Sequence, residues 1–214
     1  LEPLHPVEIR ILGALIEKDI TTPEYYPLTV NALMNACNQK SSREPVVSYE
    51  EDTVLQGLAS LREKGLALKI SGAGHRVEKF GHSLGERLNL GRREFAILCV
   101  LMLRGPQTVG ELRGRTERMH DFVDLEEVER VLESLSSREP EPLVTRMPRG
   151  RWAQLLGGMP DAEVEPQSTP LSAVSAAYST PMPADAQLEQ RISQLEQEVE
   201  SLKEQFAAFR KQFE

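Results

Sequence analysis

No stretch of this sequence approaches the roughly 18–20 consecutive apolar residues that a helix needs to cross a bilayer. Residues 1–9 also lack the basic-then-apolar order of a secretory leader. A membrane or secreted protein is therefore not expected, and a cytoplasmic one is. Cysteine is nearly missing. Cys37 and Cys99 each stand among apolar residues at helical spacing, without a second Cys or a His at ligand spacing. That excludes a recognisable zinc motif and leaves two buried thiols of a reducing compartment. The histidines His5, His75, His82 and His120 are scattered, and no H-E-x-x-H, phosphate-loop or nucleophile-elbow string occurs. Nothing reads as an enzyme, and no catalytic residue, metal or cofactor is expected. A positive charge excess is missing as well. The formal net charge of -8 argues against a nonspecific polyanion binder, but it leaves room for a local basic surface.

What is present is a pattern that occurs twice. Pro6 suits the first turn of a helix carrying Ile11, Leu12, Leu15 and Ile16, which ends at Thr21, Thr22 and Pro23. A second helix starts near Thr29 with Val30, Leu33, Met34 and Cys37 on one face. Ser48 with Glu51 reads as a capping box for a third, striped by Val54, Leu55, Leu58 and Leu61. Gly65 suits a helix C-cap. The period then changes: Leu66, Leu68 and Ile70 alternate as on a half-buried strand, residues 71–74 form a turn, and Val77 and Phe80 mark the return.

The order then repeats. A helix over 92–103 stops at Gly105-Pro106, a second opens on Thr108 with Glu111, and a third on Asp124 with Glu127. A hairpin follows, from Leu143 to Met147 and from Trp152 to Leu156. Three helices and a hairpin, twice over, predict a mainly α fold with small β-hairpins (α+β), made of two tandem winged helix-turn-helix domains. The expected limits are 1–88 and 89–157. Residues 158–186, rich in Pro, Ser and Ala and without Lys or Arg, read as a linker. In residues 187–214, Leu188, Ile192, Leu195, Val199, Leu202, Phe206, Phe209 and Phe213 keep alternating spacings of four and three. This is the seam of an amphipathic, coiled-coil-like helix, suited to pairing two copies as a homodimer or to folding back on the body.

The strings over residues 12–18, 26–33 and 36–45, together with Leu103-Arg104-Gly105-Pro106-Gln107-Thr108-Val109-Gly110-Glu111-Leu112-Arg113 and Thr116-Glu117-Arg118, resemble the YceH-like family of bacterial proteins. The likeness covers residues 5–156 and continues into the tail. It implies a tandem winged-helix fold and carries over no catalytic residues. One departure is the second hairpin tip, where only Pro148-Arg149-Gly150-Arg151 separates the strands. Members of the family usually have a longer tip.

In a DNA-reading helix-turn-helix, the start of the third helix meets base edges. Here those starts carry Glu50, Glu51 and Asp52, and then Asp124, Glu126 and Glu127. These acids suit the helix dipole and repel phosphates. The candidate nucleic-acid contacts lie elsewhere. They are the polar loop of Asn38, Gln39, Lys40, Ser42 and Arg43, the first hairpin tip with His75 and Arg76, the Arg113, Arg115 and Arg118 cluster, and Arg149 and Arg151 of the second hairpin. The plain alternatives are a solvated turn for the loop, an ordinary turn for the tip, and surface ion pairs for the arginines. Two functions compete: a DNA-associated regulatory protein that contacts duplex DNA, and a protein-interaction scaffold whose acidic third helices and heptad tail meet a protein partner.

Overall fold

The fold is given by a computed structural model that describes residues 2–70 and 77–159. It is a mixed α+β structure of short helices and two small antiparallel sheets. Helices α1 (Pro6–Thr21), α2 (Val30–Cys37) and α3 (Glu51–Glu63) lead into strands β1 (Ala67–Ile70) and β2 (Lys79–His82). After the short α4 (Leu84–Leu88), helix α5 (Arg92–Arg104), strand β3 (Gln107–Thr108), helices α6 (Val109–Thr116) and α7 (Leu125–Ser136), and strands β4 (Val144–Arg146) and β5 (Arg151–Gln154) repeat the order. Among the described residues no helix is long and apolar enough to cross a membrane. From residue 160 on, the linker and the tail positions Leu188, Ile192, Leu195, Val199, Leu202, Phe206, Phe209 and Phe213 lie outside the described residues, as do His75 and Arg76.

Local chemistry sets most element starts. Pro6 opens α1, and the His5 N–H donates to Glu8 Oε2 at 2.6 Å. Thr29 Oγ1 accepts from Ala32 N at the start of α2, and Thr108 with Glu111 forms a reciprocal box at the start of α6. Asp124 caps α7 by accepting from Glu127 N at 2.7 Å, while the Glu127 carboxylate takes the Val123 N–H instead of completing a box. The box expected at Ser48 does not form, because the cap of α3 is Glu50. Asn38 explains the delay. Its side chain donates to Tyr49 O and accepts from Tyr49 N, both at 2.8 Å, which engages the chain before the helix can start.

Both hairpins are found, with a strand expectation corrected in the first. β1 and β2 pair from Ala67↔His82 to Ile70↔Lys79. Leu66 and Ala67 are buried, but Leu68 and Ile70 are 47% and 41% exposed instead of facing a core. The strand leaves the body after Ala67, and among the described residues no second layer covers its outer half. β3, absent from the sequence reading, pairs with β5 and gives the order β3-β5-β4. The first half has its counterpart in the single bridge Leu28↔Phe80, one residue before the Thr29 cap.

The described residues fall in one compact unit. Ile11, Leu12, Leu15 and Ile16 are fully buried in a core shared with Ile97, Leu98 and Cys99 of α5. Each such aliphatic side chain contributes about 1.5–3 kcal/mol relative to exposure. Both thiols are free and buried. Burial pushes Cys37 up to about 12 and also raises Cys99, so both stay protonated.

His82 sits where the halves meet. Its ring lies 5.4 Å from that of Phe95, its Nε2 is 3.3 Å from Asp19 Oδ2, and its Nδ1 is buried without a partner among the described residues. Burial lowers its pKa more than Asp19 raises it. The unfolded chain therefore binds the proton more readily, so the neutral ring's contribution is complete above the ordinary histidine value and is lost as pH falls through the lower folded one. The melting temperature is expected to drop between pH 7.5 and 5.5. In His82→Phe that slope should flatten, and an unchanged slope would assign it to other groups.

Candidate nucleic-acid interface

The polar loop after α2 is pinned from inside. Arg43 is 4% exposed, and every donor of its guanidinium is engaged. Nη1 and Nη2 reach the two oxygens of Glu17 at 3.1 and 2.6 Å, Nε and Nη2 reach Ala36 O, and Nη1 also reaches Ser42 O. Arg10, also buried, holds Cys37 O and Pro45 O. Asn38 is committed to Tyr49 through its acceptor and one donor. Arg43 and Asn38 thus act as anchors of the loop, and the Arg43 guanidinium has no donor left for a phosphate. What the loop presents outward is Lys40, which is exposed, and the half-buried Gln39. Ser42 adopts φ 60°, and its Oγ accepts from Arg104 Nη2 at 2.7 Å.

The three arginines around α6 differ in what holds them. Arg113 donates to Phe122 O and Val123 O, and so ties down the loop before α7. Arg115 bonds Gln107 Oε1 and pairs with Glu111 at 3.4 Å. Arg118 is exposed and makes no ion pair among the described residues. Glu111 is kept below the usual carboxylate range chiefly by the Thr108 N–H, with Arg115 and Arg151 adding to it.

The second hairpin carries arginine at both strands and at its tip. Met147 N to Arg151 O at 2.8 Å closes the turn, and Arg149 takes the left-handed φ of 61° there. Arg151 turns back, donating to Pro106 O at 2.8 Å and lying 3.7 Å from Glu111. Arg146 and Arg149 are exposed and unpaired among the described residues. No acid occurs between Glu141 and Asp161, so this tip is positive along its whole length.

The sequence reading placed Lys40 and Arg118 in separate domains. In the fold they line one cleft with Lys18 and Glu17, and Arg104 and Arg115 line an adjoining hollow that shares Glu17, Ser42 and Arg118 with it. Sequence reasoning missed Arg146, which reads only as a strand residue. It also missed Lys18 and Arg104, whose shared cleft depends on α1 crossing α5. The acids at the starts of α3 and α7 remain: Glu50, Glu51, Asp52, Asp124 and Glu126 are exposed, and only Glu127 is buried. Among the described residues no group of His, Cys, Asp and Glu is arranged to hold a metal.

Residues 4–151 match the family model described as "Protein of unknown function, DUF480". The UPF0502 protein of Opitutus terrae is 56% identical over 180 residues, covering 80% of this chain and 78% of that one. The UPF0502 protein of Solibacter usitatus is 55% identical over 170 residues, covering 78% and 81%. That of Geotalea uraniireducens is 52% identical over 192 residues, covering 87% and 81%.

Proposed function

We propose, from the premise that this chain belongs to DUF480, a bacterial family of proteins of unknown function, that it is a non-catalytic, DNA-associated regulatory protein of the cytoplasm. The observation that carries the reading is the second hairpin, free of acids, where Arg146 at the end of β4 and Arg149 at the tip are exposed and unpaired among the described residues. Guanidinium groups on such a projection suit backbone phosphates. The reading also takes the fold as two tandem winged helices, as the YceH-like resemblance implies. Three features support it: the repeated order of three helices and a hairpin, eight-residue second helices in both halves, and threonine caps preceded by a strand or bridge. The acids at the starts of α3 and α7 argue for contact through the hairpin instead of base reading by those helices. The heptad spacing of residues 188–213 supports pairing of two copies, which multiplies weak contacts through effective concentration.

The test is fluorescence anisotropy with duplex DNA across a salt series. Removing two phosphate contacts in an Arg146→Gln, Arg149→Gln double variant should reduce the log–log salt slope by about 1.8. Absence of duplex binding even in low salt would remove the reading. A second reading, a protein-interaction scaffold, is favoured by Val123 and Leu125. They are 80% and 48% exposed at the start of α7, where apolar side chains beside carboxylates suit a protein partner better than a phosphate backbone.

A further inference from the structure

The cleft between the two halves has a charge that the chain as a whole does not. In a protein of net charge -8, it is made of two adjoining hollows that share Glu17, Ser42 and Arg118: Lys18 and Lys40 line one, Arg104 and Arg115 the other, and Glu17 is the one carboxylate on their lining. That carboxylate is already occupied. Both its oxygens are bound by the buried Arg43, and Lys18 lies 3.7 Å from one of them. Arg118 and Lys40 have no anionic partner among the described residues, and Arg104 spends one donor on the neutral Ser42 hydroxyl. Among the described residues these five cations thus stand against Glu17, already bonded to Arg43, and Glu111, paired with Arg115, so positive charge is left in excess in a concave place. Concave walls focus that field and raise the local concentration of an anion. The half-buried Arg104 records the crowding: burial, then Arg115 and Arg43, lower its pKa by more than the carboxylates of Glu17 and Glu44 raise it.

The walls are also held in place. Glu44 N donates to Leu103 O at 2.8 Å, joining the loop after α2 to the last turn of α5, and Arg10, Arg43 and Asn38 fix that loop from below. Arg115 is oriented by Gln107 and Glu111. A ligand entering the cleft meets Arg104 and Arg115 already oriented and has only Lys40 and Arg118 to order, which lowers the ordering cost.

We propose that this cleft binds a small phosphate-bearing anion, of the charge density of a diphosphate, between Arg118 and Arg104 on one wall and Lys40 on the other. The site is separate from the arginine hairpin and does not rest on DNA binding. Because its walls come from both halves, such a ligand bridges the loop after α2 to the ends of α5 and α6.

The experiment uses the full chain and inorganic pyrophosphate at low ionic strength, followed by calorimetric titration and by thermal melting. Saturable binding and a concentration-dependent rise in melting temperature are expected, with no such rise from sodium chloride at matched ionic strength. Arg118→Gln should weaken binding about ten-fold, the loss of one charge-assisted hydrogen bond, while its melting temperature without ligand stays that of the wild type. Lys40→Gln should weaken it as well, and Arg149→Gln should leave it unchanged. The proposal is overturned by absence of saturable binding at millimolar pyrophosphate, or by equal affinity in wild type and Arg118→Gln. It is overturned too if duplex DNA displaces the pyrophosphate and Arg118→Gln loses both ligands, because the cleft would then be a seat for nucleic-acid backbone. Pyrophosphate binding without any duplex binding supports the cleft and removes the DNA reading alone.

Discussion

Arg43→Ala is expected to lower the unfolding free energy by about 3–5 kcal/mol, the usual loss when one partner of a buried ion pair is removed. The figure follows from what the guanidinium holds. Arg43 is buried, and it bonds both oxygens of Glu17 and the carbonyls of Ala36 and Ser42. Truncation leaves the Glu17 carboxylate short of its two strongest donors and the Ala36 carbonyl, near the end of α2, without its side-chain donors. Urea denaturation of the single variants Arg43→Ala and Glu17→Gln and of their double variant separates the terms. The double variant should be markedly more stable than the two losses added together, because each change removes the group that the other leaves unpaired. Arg118→Gln is the matched control: an exposed arginine without an ion pair among the described residues should change stability by no more than about 0.5 kcal/mol. A loss below about 1 kcal/mol in Arg43→Ala would show that water replaces the guanidinium and that the loop after α2 is not anchored by it.

That same residue shows what a sequence discloses and what it hides. Helix starts were legible at Pro6, Thr29, Thr108 and Asp124, because capping is local chemistry written within four residues. The apolar stripes of α1, α3, α5 and α7 were legible by period, except that Leu55 of α3 and Leu125 of α7 are exposed instead of buried with the rest. Ser48 misled because its competitor, Asn38, lies ten positions earlier and acts only after the chain has folded back. Leu68 and Ile70 misled because alternation reports a strand but not whether a second layer covers it. β3 is two residues long and has no period to detect. For the candidate site, residue type identified the basic groups but not their environment: Arg43 and Lys40 are three positions apart, yet one is buried and the other exposed. The cleft needed tertiary structure outright. Its walls belong to segments up to a hundred residues apart, and the packing of α1 on α5 is what brings them together.

That packing depends on Gly13, and Gly13→Val is expected to lower the unfolding free energy by about 3 kcal/mol, the upper end of ordinary overpacking. A Cβ at position 13 would stand 2.9 Å from Leu103 Cδ2, 3.0 Å from its Cγ and 3.2 Å from Met102 Cβ. The Leu103 methyl could turn aside. Met102 Cβ is fixed by the α5 backbone, so relief requires the two helices to separate. Separation also stretches the contact in which the Cys99 thiol donates to Gly13 O at 3.4 Å. Alanine meets the same first clash but gains about 1 kcal/mol of helix propensity over glycine, so Gly13→Ala should cost distinctly less than the valine. Gly114 provides the opposite case. It lies within α6 with nothing inside 4 Å of a built Cβ, and Gly114→Ala should therefore stabilise by about 0.5–1 kcal/mol. Urea midpoints at unchanged m-value would read all three. If Gly13→Val melts with the wild type, α5 has room to shift on α1, and the close crossing is not what fixes the distance across the cleft.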